Sequence, residues 1–270
     1  MRSFLRPAAV VVAAGAVALS LAAPAQAAGG SSQVSVLHGV PGLTVDVYAN
    51  GDKILSDFAP GTLTDPLTLP AGSYDLAVFP AGQPSSGTPA IEANDVEVPG
   101  GANITVAAHL DAAGKPALTP FVNDTAKVDA GKARLTVRHV AAAPAVDVRA
   151  GGTPVFEGLT NPNEDSAEVD AGTVSADVVL AGTDTVAIGP ADLNLGEGTA
   201  TIVYAWGSAA DENLELAVQT IDGLHSAPGG VPSGSGGLLG DGLPLPLLGL
   251  ALLGAAGAVA GTRRLASSRA

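Results

Sequence analysis

The chain carries one chemical pairing twice. His38 closes a short apolar run, and Asp46 follows eight residues later inside Val45-Asp46-Val47. His139 closes a second such run, and Asp147 again follows at eight residues, inside Val146-Asp147-Val148. An imidazole near a carboxylate can relay protons or hold a metal ion. A simple hairpin through Pro41-Gly42 would make His38 and Asp46 diagonal neighbours, within reach of a hydrogen bond. No third ligand stands near either pair, so a structural bond that fixes a strand end is the expected role.

Other groupings that could do chemistry are sparse. There is no cysteine. The sequence holds no Gly-x-Ser-x-Gly elbow, no His-Glu-x-x-His, no P-loop and no glycine fingerprint between a strand and a helix. Asp95 and Glu97 read as solvated surface. Oxygen-bearing side chains crowd Asn161–Asp170, which invites calcium, yet Ser166 stands where an EF-hand loop needs Gly and Gly172 where it needs Glu. Neither a catalytic residue nor a cofactor nor a metal is expected. Aromatics are few, so Tyr48, Tyr74, Phe79, Tyr204 and Trp206 are candidates for a stacking surface. Tyr204 and Trp206 fall on one face of a strand and Val203 and Ala205 on the other. Large rings usually fill a core, and the interior of a sandwich is the expected place for both.

Short strands must position these residues. Apolar side chains alternate in Val34-Val36, Val45-Val47, Leu76-Val78 and Ile104-Val106, and again in Leu135-Val137, Val146-Val148, Val174-Ala176-Val178 and Val203-Ala205. Turn residues punctuate these runs, and Asn50-Gly51 predicts a two-residue hairpin. No helical stripe runs between residues 30 and 225. The matches between halves continue beyond the histidines: Ala71-Gly72 answers Ala171-Gly172, and Gly101–Val106 answers Gly198–Val203. An internal repeat of this kind predicts two tandem antiparallel, immunoglobulin-like β-sandwich modules, over 32–124 and 133–221. Lys127 to Arg138 holds four of the basic residues and reads as a solvated junction.

Both ends carry export and anchoring signals. Arg2 and Arg6, the apolar run Ala8–Leu21 and Ala25-Gln26-Ala27 form a signal peptide over 1–27. A Gly/Ser/Pro linker over 226–242 leads to the uncharged run Leu243–Gly261, long enough as a helix of about 28 Å to span a bilayer. Arg263, Arg264 and Arg269 follow it and place the tail 262–270 in the cytoplasm. Residues 29–237 hold seven basic against 25 acidic side chains, a net of −18. Such a surface repels phosphate backbones and disfavours nucleic acid as a partner.

His38 through Asn50-Gly51, with Leu69-Pro70-Ala71-Gly72-Ser73-Tyr74 after it, resembles the opening of the domain-of-unknown-function family 4397. His139 through Gly152, with Ala171-Gly172-Thr173, is similar to a second copy, with Arg149 in place of Tyr48 and Asp170 in place of Pro70. The resemblance implies exported bacterial β-sandwich modules at the surface and no reaction, while the high Ala, Gly and Val content with few Lys suggests an actinobacterial-type source. The expected protein is therefore membrane-anchored and non-catalytic, with a binding or structural role toward cell-wall polymer or another envelope protein. The competing expectation is a hydrolase of envelope polymer that uses paired carboxylates.

Overall fold

The computed structural model describes residues 30–226. The expected signal peptide, most of the expected linker, the apolar run at 243–261 and the basic tail lie outside the described residues. Among those described there is no helix, and sixteen strands form four four-stranded sheets.

Strands β1 (Ser31–Gly39), β2 (Val45–Ala49), β3 (Asp52–Phe58), β4 (Leu67–Pro70), β5 (Gly72–Pro80), β6 (Ile91–Val98), β7 (Asn103–Leu110) and β8 (Pro116–Val122) build the first sandwich. One of its sheets runs β4-β1-β7-β8 and the other β3-β2-β5-β6. The second sandwich repeats this order with β9 (Lys132–Ala142), β10 (Val146–Ala150), β11 (Thr153–Leu159), β12 (Glu164–Asp170), β13 (Gly172–Leu180), β14 (Val186–Leu195), β15 (Ala200–Ser208) and β16 (Glu215–Ile221). Its sheets run β12-β9-β15-β16 and β11-β10-β13-β14. The duplication read from the sequence is thus a duplication of topology.

Local chemistry accounts for the hairpins. Asn50 and Gly51 both take positive φ, 52° and 86°, as a type I′ turn requires between β2 and β3. Gly151 and Gly152 do the same between β10 and β11, at 57° and 81°. The sheets are antiparallel but for one central pair in each module. β1 runs parallel to β7, and β9 parallel to β15. These four strands are buried along nearly their whole length, as parallel pairs covered on both faces tend to be.

Burial on both faces arises because the sandwiches pack on each other. Val36, Val45, Val47, Phe58 and Val78 fill the first core, and Leu135, Val146, Val148, Phe156 and Val203 fill the second. Leu37, Ala107 and Phe121 of the first sandwich meet Val140, Ile202, Tyr204 and Trp206 of the second in a separate cluster. Odd and even positions of β15 therefore serve two different interiors: Val203 its own sandwich, Tyr204 the junction.

Candidate functional site

The His/Asp pairs do not form. β1 and β2 lie in opposite sheets, so the connection through Pro41-Gly42 crosses the sandwich rather than closing a hairpin. His38 Nε2 lies 2.6 Å from the Leu43 carbonyl, and Nδ1 accepts the Val40 N–H at 3.4 Å. This pattern assigns the proton to Nε2 and leaves a neutral ring that pins the crossover, stacked on Phe58. His139 repeats the arrangement, with Nε2 2.9 Å from the Pro144 carbonyl and Nδ1 accepting from Ala141. Burial lowers the pKa of both rings, against the opposing pull of those carbonyls. A structural role is found, with a different partner from the expected Asp.

Asp46 turns to the outer face of its sheet. Its carboxylate accepts from Lys53 Nζ at 2.7 Å and from the Asp57 and Gly82 amides at 3.0 and 3.3 Å. Asp57 has φ 51° at an irregularity in the β2/β3 register, so the carboxylate holds a β-bulge. Asp147 accepts from the corresponding amides, Gly158 at 2.7 Å and Gly182 at 2.8 Å. Hydrogen bonds from Lys53 and from Gly182, respectively, lead the causes that lower the two carboxyl pKa values. The repeat preserves a turn-holding device, and Pro154 stands opposite Arg149 where Lys53 stands opposite Tyr48.

Tyr204 and Trp206 are buried, yet neither lies inside a sandwich. Both fill the junction between the two, which corrects the expected placement. Gly61 shows how close the fit is: a Cβ there would come within 2.9 Å of the Trp206 ring, and φ is +75°. Tyr48 and Phe79 meet edge to face at 5.3 Å on the outer side of the first module. Tyr74 donates to the Pro70 carbonyl at 2.8 Å.

The junction is polar where it is not aromatic. Arg138, 1% exposed, donates to Glu164 at 2.6 Å and to the Tyr204 hydroxyl at 2.7 Å, and its guanidinium lies 4.4 Å from the centre of the Phe121 ring. Gln219 Oε1 accepts from Tyr204 at 2.6 Å and from Thr105 of the first module at 2.9 Å. Asn161 Nδ2 spans the modules, donating to the Leu110 and Ala141 carbonyls at 2.8 and 2.6 Å. Of the charges at 127–138 expected to be solvated, Lys127 is exposed, whereas Arg134 and Arg138 are buried. The one signal for the burial of Arg138 was its place in a strand among Leu135, Val137 and Val140.

The acidic segment also differs from expectation. Glu164–Asp170 is strand β12, antiparallel to β9, and its carboxylates meet a row of cations. Glu164 pairs with Arg138, Glu168 with Arg134 and Asp170 with Lys132. Among the described residues no group of three or more His, Cys, Asp or Glu could hold a metal ion.

What stays open is a groove between the modules. It has a volume of about 390 Å³, within the range of ligand clefts, and domain junctions are favoured places for them. Leu63, Thr64, Asp65 and Asn103 line it from the first module, and Val218, Gln219, Thr220 and Asp222 from the second. Sequence reasoning did not single out these residues, because the two walls come from strands more than a hundred positions apart.

Comparison with curated proteins returns no match for this chain. Residues 32–149 match the family described as Domain of unknown function (DUF4397), a span that takes in the first sandwich and runs on through β9 into β10. The chain carries a DUF4397 domain.

Proposed function

We propose that this is an exported, single-pass membrane protein whose paired sandwiches act outside the cell by binding within the envelope, without catalysing a reaction. The observation that carries this reading is the division of labour among its polar side chains. His38, His139 and Asp147 are committed to backbone groups and Asp46 to backbone amides and Lys53, and the roomy cleft lies where the two modules meet. Their shared topology supports reading 133–221 as a second copy of the same domain. The sequence of the ends supports a removed signal peptide and a helix at Leu243–Gly261, with the N-terminal side outside. About twenty residues separate β16 from that run, and a flexible chain of this length spans roughly 25 Å. The modules would then work close to the membrane, on wall polymer or another envelope protein, and the acidic surface argues against nucleic acid.

The test is co-sedimentation of the full-length protein with isolated wall fractions, scored for retention and for released fragments. Retention without release is expected. Release of soluble fragments would instead make it a hydrolase.

A further inference from the structure

We infer that the inter-module groove binds a neutral saccharide, an inference that rests on the binding role proposed above and names its ligand class. The argument is an accounting of hydrogen-bonding capacity on the groove walls. Thr64 Oγ1 already accepts the Val36 amide at 3.0 Å, so its hydroxyl proton is left to donate. Ser35 Oγ accepts from Gln219 Nε2 at a long 3.4 Å and likewise keeps its proton. Gln219, 6% exposed, spends its carbonyl oxygen on Tyr204 and Thr105. Its amide nitrogen, with two protons, has that one weak bond among the described residues. Asn103 Oδ1 accepts from Asn123 at 2.6 Å, which leaves its amide protons as donors.

The buried wall therefore offers donors, while Asp65 and Asp222 at the exposed rim offer acceptors. Hydroxyl groups satisfy both demands at once, since each can donate and accept. No cationic side chain lines the groove, so an anionic ligand would meet the two carboxylates uncompensated. Leu63 and Pro66, which also line the groove, add apolar surface against which the C–H face of a sugar ring can lie. The cleft exists only while the modules are docked, which gives the buried junction a purpose beyond stability.

The experiment uses the full-length chain in dodecylphosphocholine, a detergent without sugar, and saturation-transfer NMR with triacetylchitotriose, maltotriose and, as the anionic control, trigalacturonate. Transfer to at least one neutral trisaccharide is expected, with little to trigalacturonate. Asp65→Asn combined with Asp222→Asn should weaken binding at least tenfold, and Asp65→Trp, a bulky ring at the exposed rim, should abolish it. Both positions are exposed, and Asp222→Trp replaces Asp65→Trp should that variant misfold. No transfer to either neutral sugar, equal transfer to the anionic one, or unchanged transfer in the blocked variant would overturn the assignment. Retention of Asp65→Trp on wall fractions at the wild-type level would overturn the groove and leave the envelope-binding role standing. Failure of the wild type itself to be retained would remove that role.

Discussion

Arg138 on β9 donates a 2.7 Å hydrogen bond to the hydroxyl of Tyr204 on neighbouring β15, and that hydroxyl donates onward to Gln219 at 2.6 Å. The guanidinium charge is buried but compensated by Glu164. Tyr204→Phe keeps the ring and removes the relay, leaving buried donors and acceptors unmatched. A loss of about 1–3 kcal/mol is expected. Chemical denaturation of the two proteins checks it, and an unchanged midpoint would show that the relay is dispensable.

Trp206 couples the modules. Its ring lies against Gly61 of the first sandwich while its backbone belongs to the second. Trp206→Ala should cost about 3–5 kcal/mol, as deletion of a large buried ring does. Because the loss falls at the junction, calorimetry should resolve two melting transitions where the wild type has one. A single transition shifted downward would mean that the coupling resides elsewhere.

The Asp46 carboxylate is a fastener for two backbone amides. In Asp46→Ala the N–H groups of Asp57 and Gly82 lose their acceptor, and hydrogen exchange at these two sites should accelerate more than along β2 and β5. Asp147→Ala should do the same at Gly158 and Gly182. Equal protection in mutant and wild type would assign the bulges to strand pairing alone.

Acid should unfold the protein in two stages. Burial lowers the pKa of His38, His109 and His139 below the ordinary histidine value. The unfolded chain then takes up protons below about pH 6.5 that the folded chain refuses, so stability is level above that pH and falls as pH decreases beneath it. Asp46, Asp147, Asp170 and Asp177 have lowered pKa values, held down first by Lys53, the Gly182 amide, Lys132 and Arg149 respectively. Their stabilisation is present above the ordinary carboxylate range and is lost as pH falls through the lowered values. Denaturation midpoints from pH 8 to 3 should show the first decline near pH 6.5, smaller in His38→Gln/His139→Gln. A flat profile from pH 7 to 5 would contradict it.

Calcium should leave the melting temperature unchanged. Three of the four acids of β12 already pair with Arg138, Arg134 and Lys132 across the strand pair, so a divalent cation would have to displace three ion pairs. A rise in melting temperature with millimolar calcium, reversed by a chelator, would show otherwise.

Much of the architecture follows from local chemistry. Period-two alternation in Val34-Val36 and Val45-Val47 names a buried face, Asn50-Gly51 names a turn, and the recurrence of His, Pro and Val-Asp-Val at matched spacing names a duplication. These depend on residues within a few positions of each other, and so they are readable along the chain. Which sheet a strand joins is not of that kind. β2 leaves β1 for the opposite sheet because β1 lies between β4 and β7, and this choice sends Asp46 away from His38. Alternation likewise shows that Tyr204 and Trp206 share a face, but not what covers it. That was decided by the docking of a second sandwich, whose contacts join residues far apart in sequence and set the junction, its buried arginine and its groove together.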